Sequence, residues 1–180
     1  MKYLVMSDLH GSYTAFKEIE KAYHYHKVDA ILCLGDILYH GPRNDLPNGY
    51  APKKVIEAIN PYKDQIISVR GNCEAEVDQM VLDFPVLATY SELYLGSKRV
   101  FMTHGHIYNK DNMPPLKEND IFMQGHTHIP TVHKENGIYM LNPGSCTIPK
   151  GGHPATYAIL DETSFTIYKL DQTEYMKVEF

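Results

Sequence analysis

The chain predicts an α/β domain made of two packed sheets with helices outside them. Three observations carry that reading. The first half alternates apolar runs with amphipathic stretches in the order β-α-β-α-β, which implies parallel strands and right-handed crossovers. After Phe84 the pattern changes to paired apolar runs around short turns, the mark of hairpins. Five apolar runs also end in side chains able to hold a metal ion, and open α/β sheets gather their ligands outside the carboxyl ends of strands.

Tyr3–Met6 is a continuous apolar run, as suits a strand buried on both faces. Ser12 or Thr14 can cap the following helix, predicted to run to about His26 on an apolar stripe of Ala15, Phe16, Ile19, Ala22 and Tyr23. The second strand is Ala30–Leu34. A Pro- and Gly-containing loop follows from Tyr39 to Ala51. Pro52 fits the first turn of a helix through Asn60, which Pro61 stops. Ile66–Val69 is the third strand. Tyr90–Leu95 with Arg99–Met102, Val132–Lys134 with Ile138–Leu141, and Thr156–Leu160 with Phe165–Leu170 each flank a turn. The C-terminal half is therefore expected to be mostly antiparallel. No internal repeat or interdomain linker interrupts the chain, so residues 1–180 form one expected domain.

Composition narrows the function classes. The net charge is −5 and no Lys/Arg cluster forms a basic face, so stable binding of duplex nucleic acid is not expected. No apolar run approaches the roughly 20 residues that span a bilayer. Three well-separated cysteines, Cys33, Cys73 and Cys146, read as free thiols of a reducing compartment. With a strand beginning at Tyr3 and no leader pattern, a cytoplasmic location is expected.

Histidine is the compositional outlier, with ten in the chain. Asp8-Leu9-His10 follows the first strand, and the i, i+2 spacing can aim both side chains the same way. Gly35-Asp36 follows the second, where glycine lets the chain turn sharply out of the strand. Gly71-Asn72 follows the third. Thr103-His104-Gly105-His106 and Gly125-His126-Thr127-His128 follow two later strands. Taken singly, each has a plain alternative: a helix-capping Asp beside a surface histidine, a turn carboxylate, a Gly-Asn turn. Those alternatives would have to hold at five strand ends at once. Seven ligands (Asp8, His10, Asp36, Asn72, His104, His126 and His128) exceed one tetrahedral ion and suit two ions sharing a bridge. Imidazole, carboxylate and amide donors without thiolate favour divalent transition metals, with Mn or Zn the leading candidates beside Fe, Co and Ni.

The ordered pattern D-x-H, G-D, G-N, H-G-H, G-H-x-H resembles the calcineurin-like metallophosphoesterase superfamily. Within it the chain is similar to YfcE-type bacterial phosphodiesterases through Gly41-Pro42-Arg43-Asn44, Gly49-Tyr50-Ala51-Pro52, Arg70-Gly71-Asn72-Cys73, Asn142-Pro143-Gly144-Ser145 and Ile148-Pro149-Lys150-Gly151-Gly152. The resemblance implies a four-layer αββα sandwich of two mixed sheets flanked by helices. It implies one ion on Asp8, His10 and His128, a second on Asn72, His104 and His126, and Asp36 as the bridge. Asp36, Asn72 and His104 are then also the expected catalytic positions. A homo-oligomer acting on a small phosphodiester is the implied working form.

Two cations about 3.5–4 Å apart can share a water, lower its pKa toward about 7 and so generate a bridging hydroxide that attacks phosphorus. Two divalent ions against Asp8, Asp36 and that hydroxide leave one net positive charge, which suits a diester monoanion. A phosphomonoesterase or nucleotidase is the alternative, since Arg43 could supply the further charge a dianion needs. A non-catalytic protein-binding scaffold like Vps29 is another. Arg43 and Asn44, in the long loop, are candidate substrate contacts, with Tyr108–Leu116 as a candidate opposite wall. The residue after Gly71-Asn72 is a departure. Many relatives carry histidine there to protonate the leaving group, whereas this chain has Cys73, so His106 or water is left to supply the proton.

Overall fold

The computed structural model describes all 180 residues. Its elements are β1 (Tyr3–Met6), α1 (Tyr13–His26), β2 (Ala30–Cys33), α2 (Pro52–Ile59), a 3-10 turn (Asn60–Gln65), β3 (Ile66–Ser68), α3 (Glu76–Gln79), β4 (Tyr90–Leu95) and β5 (Lys98–Thr103). There follow β6 (Ile121–Met123), β7 (Thr131–Glu135), β8 (Ile138–Asn142), β9 (Thr156–Leu160), β10 (Ser164–Lys169) and β11 (Glu174–Glu179). Ser12 caps α1 by accepting the Ala15 N–H, and Lys27 closes it in a left-handed conformation.

The strands make two mixed sheets, ordered β11-β10-β9-β1-β2-β3 and β4-β5-β6-β8-β7. In the first, β1, β2 and β3 run parallel, as the β-α-β-α-β alternation predicts. The three predicted hairpins are present. The C-terminal half is mostly antiparallel, as expected; the exception is β6, which lies between β5 and β8 and is parallel to both. Two hairpins are joined there through a central three-residue strand. Its apolar run, Ile-Phe-Met, carries no signal of strand direction. β11 was also not foreseen, because its alternation with Glu and Lys reads as a polar tail.

Two apolar layers result. One joins α1 and α2 to the outer face of the first sheet through Phe16, Ile19, Val55 and Ile59 against Leu4, Met6 and Ile31. The other fills the space between the sheets with Val5, Leu32 and Leu34 against Val100, Met102, Ile121 and Met123. Phe101 and Phe122 alternate with those inward residues and therefore face outward, yet both are buried. Tyr108 covers Phe101, with ring centroids 5.2 Å apart, and also meets Tyr90. No helix follows α3, so the fourth layer is irregular chain from the β5–β6 connection. No helix is long and apolar enough to cross a membrane.

Candidate metal centre

The interface between the sheets brings the carboxyl ends of β1, β2 and β3 against those of β5 and β6, and all seven predicted ligands meet there. Backbone turns of an unusual kind aim them. Asp8, His10, Asp36, His126 and His128 all have positive φ, between 48° and 64°. That left-handed region is uncommon for residues with a Cβ, and its clustering is a mark of functional sites. Close approach of the loops also depends on two glycines. A Cβ on Gly71 would sit 2.1 Å from Asp36 Oδ1, and one on Gly125 would sit 1.9 Å from Ser7 Oγ.

Asp8 is wholly buried. Its Oδ2 accepts from Ser7 Oγ at 2.7 Å and from the His126 N–H at 3.0 Å. Its Oδ1 is left without an aligned hydrogen bond. That oxygen lies 3.1 Å from His128 Nε2, 3.7 Å from His10 Nε2 and 3.9 Å from His104 Nε2. Asp36 divides its oxygens in the same way. Oδ1 accepts the Cys73 N–H at 2.9 Å, while Oδ2 stands 3.4 Å from His104 Nε2 and 3.8 Å from His10 Nε2.

The imidazoles are held in one tautomer. The Nδ1–H groups of His10, His104 and His128 donate to the carbonyls of Tyr39, Leu34 and Ile148. Their Nε2 lone pairs therefore face the cluster, the outer-shell arrangement expected of metal-binding histidines. Two bare nitrogens point at one another in the His10–His128 pair, 3.4 Å apart. His126 instead presents Nδ1, 3.2 Å from His104 Nε2, and Asn72 Oδ1 is 3.1 Å from the same nitrogen. Facing acceptors repel unless a proton or cation lies between them. Together with the orphaned Asp8 oxygen, this donor set fits divalent ions. Asp8, His10 and His128 can each offer an atom within 4.8 Å of the others, as can Asp8, Asp36 and His104.

The local field is strong. Burial alone would raise the Asp8 carboxyl, but the imidazoles of His10 and His128 beside it hold it well below the usual range. Burial likewise opposes the charged Asp36, and His104 outweighs it. Burial would lower His104, yet Asp36 and Asp8 push it up to about 9. Burial and the charge of His104 pull His106 down to about 4. For Cys73, burial and then the Asp36 charge push the thiol far up.

A cleft of about 320 Å³ opens above these groups. Arg43, Asn44 and Cys73 line it, as does Lys150. His106 does not; it stacks edge-on against His104 at 5.4 Å. The expected wall from Tyr108 to Leu116 is also displaced. Its aromatic head is drawn onto Phe101, and Leu116 packs beside Tyr94 and Arg99 at a separate hollow. The turn after β8 takes that place and brings Lys150 to the rim.

Comparison with known proteins agrees with this geometry. Residues 1–164 match the calcineurin-like phosphoesterase superfamily domain. The chain is 44% identical over 171 residues to phosphodiesterase YfcE of Escherichia coli strain K12, spanning 95% of this chain and 93% of that one. The chain belongs to the calcineurin-like phosphoesterase superfamily. The solved structure of YfcE, a phosphoesterase from E. coli, superimposes with a TM-score of 0.97 over 99% of this phosphoesterase and 98% of that chain, at 44% identity. Vps29 from Cryptosporidium parvum shares the fold alone, with a TM-score of 0.66 at 19% identity over 99% of this chain and 97% of its own.

Two residues of this phosphoesterase escaped sequence reasoning. Glu74 is buried, and its carboxylate accepts the N–H groups of Asp36 at 2.9 Å, Ile37 at 2.7 Å and Gly71. It thereby joins the loop after β2 to the loop after β3. Burial and the nearby Asp36 push it up to about 7. Its only sequence signal was a carboxylate three residues after a loop glycine. Lys150 lies in the Ile148-Pro149-Lys150-Gly151-Gly152 motif, where a lone Lys in a Pro-Gly turn signals no role by itself. The Asn142-Pro143-Gly144-Ser145 turn does lie beneath the site, with Ser145 Oγ donating to the Asp8 carbonyl at 2.9 Å.

Proposed function

We propose that the chain is a dinuclear metal-dependent phosphodiesterase. The observation that carries this reading is Asp36 Oδ2, which lies 3.8 Å from His10 and 3.4 Å from His104, nearer to His104 than Asp8 Oδ1 at 3.9 Å. Each of those histidines belongs to a different ligand trio: Asp8, His10 and His128, or Asn72, His104 and His126. A shared carboxylate between two trios is what a two-ion site needs. Bound there, divalent ions such as Mn or Zn supply Lewis acidity and acidify water toward neutral pH.

The chain's own residues do the rest. Carbonyls of Tyr39, Leu34 and Ile148 keep three imidazoles in the ligand tautomer. Arg43 offers a forked guanidinium to anionic oxygens of the substrate. Cys73 keeps its proton, because burial and Asp36 hold the thiol far above its usual range. A group that acidic only at very high pH is a weak proton donor, so the favoured substrates carry good leaving groups.

The test is kinetic and analytical together. Protein loaded with Mn or Zn is expected to hold two ions per chain and to hydrolyse an aryl phosphodiester with higher kcat/KM than the matched aryl monoester. Preference for the monoester would overturn the diesterase reading. Metal content near zero after metal-replete purification would favour the scaffold role instead.

A further inference from the structure

We propose that the substrate is a phosphodiester whose ester arm ends in a second phosphate, held by Arg43 and Lys150. This rests on the diesterase reading and specifies what it acts on. The cleft is locally cationic in a chain of net charge −5. Of its eleven lining residues, Arg43 and Lys150 carry fixed positive charge and Asp36 is the only carboxylate. Neither cation takes part in any ion pair.

Both cations stand on hydrogen-bonded turns from separate loops. Asn44 Nδ2 donates to the His40 carbonyl at 2.7 Å, closing the turn that carries Arg43. The Lys150 N–H donates to the His128 carbonyl at 3.3 Å, and the Lys150 carbonyl accepts the His153 N–H at 3.2 Å. Lys150 is thus anchored directly beside a metal-ligand residue. Two divalent ions, Asp8, Asp36 and a nucleophilic hydroxide leave one positive charge for the diester monoanion. Arg43 and Lys150 add two more, which match a phosphate dianion. Pro42 and Cys73 are the only apolar side chains on the lining, and no Tyr, Phe or Trp lines the cleft. The site therefore offers charge rather than a stacking surface for a nucleobase.

Two p-nitrophenyl phosphodiesters test this, one with a 3-phosphonopropyl arm and one with a propyl arm. In either, water adds to the diester phosphorus, the bond to the aryl oxygen breaks, and the electron pair leaves with nitrophenolate. The phosphonate P–C bond stays intact, so colour reports the diester alone. Charge-assisted contacts predict kcat/KM at least about tenfold higher for the phosphonate arm at moderate salt. The ratio is expected to fall to about one in the double variant Arg43→Ala/Lys150→Ala. Lys63→Ala, remote from the cleft and of equal charge change to either single substitution, is expected to leave the ratio in place. Calorimetry on the metal-loaded protein gives a second readout: 3-phosphonopropyl phosphate should bind about tenfold tighter than propyl phosphate.

Equal rates and equal affinities for the two arms would overturn the inference while leaving diester hydrolysis intact. A ratio lowered as much by Lys63→Ala would overturn it in favour of general attraction. If neither diester turned over but the phosphonopropyl compound bound tighter through Arg43 and Lys150, the anion site would stand and the diesterase reading would fall.

Discussion

Glu74 shows how much a side chain outside the ligand set can decide. Its two oxygens serve three backbone donors, all in the turns carrying Asp36 and Asn72. Glu74→Gln keeps the shape but replaces one acceptor oxygen with a donor. That leaves at least one buried N–H facing an NH₂, at a cost of about 1–3 kcal/mol. Misaligned outer-shell contacts typically lower metal affinity or turnover by about 10–100-fold. Expected outcomes are a lower Tm and weaker ion retention on dialysis; unchanged metal content would show that the turns hold without it. His104 gives the pH dependence. Its folded pKa, about 9, lies above the ordinary 6.5. In chelator-treated protein its proton stabilises the fold fully below about pH 6.5, and that stabilisation is lost as pH rises through about 9. An incoming ion must displace the same proton. Loading at pH 7.5 is therefore expected to release protons, seen as heats that differ between buffers of different ionisation enthalpy. Identical heats would contradict a protonated His104. At this scale the cluster of candidate ligands was legible because Asp, Asn and His are rare company for strand ends. Glu74 was not, because its partners are backbone groups from distant turns, which no residue type advertises.

At the scale of elements, the site is built by strand-end turns rather than by the strands. Five of the proposed ligand residues occupy left-handed backbone, where an L side chain is strained. The sequence marks such positions only when glycine fills them, so D-x-H and G-H-x-H gave the ligands but not the conformation. His126, at φ 64°, allows a direct test. In chelated protein His126→Gly is expected to unfold about 1 kcal/mol later than His126→Ala, since glycine adopts that region freely. Urea denaturation measures the difference, and equal stability would mean that the turn relaxes once the imidazole is gone. Strand direction was legible where connections constrain it. Helices α1 and α2 required parallel β1, β2 and β3, and short turns required antiparallel hairpins. The long β5–β6 connection imposed neither; β6 pairs parallel with β5 and β8, and its Ile121 and Met123 join Val100 and Met102 in packing against the first sheet.

Across the whole molecule, the proposed ligands come from both sheets: Asp8, His10, Asp36 and Asn72 follow strands of the first, His104, His126 and His128 strands of the second. Apolar packing joins the sheets along their length, but at the carboxyl ends of the strands buried carboxylates and imidazoles replace it. Bound ions would act there as a staple between the layers. Ligand linkage gives about 2.7 kcal/mol per site when free ion is at a hundred times its dissociation constant. In a chain of this length each kcal/mol moves Tm by about 2–4 °C. Chelation of both ions is therefore expected to lower Tm by about 10–20 °C. Hydrogen exchange should quicken after chelation around Asp8, Asp36, Asn72, His104 and His126, in both sheets together, while the distal β10–β11 hairpin stays as protected as before. Asp36→Ala removes the carboxylate proposed to join the two trios, so this variant is expected to lose both ions and to match the chelated protein in melting and exchange. Protection changes confined to one sheet, or an Asp36→Ala protein that still gains stability from metal in both, would show that the ions do not link the layers.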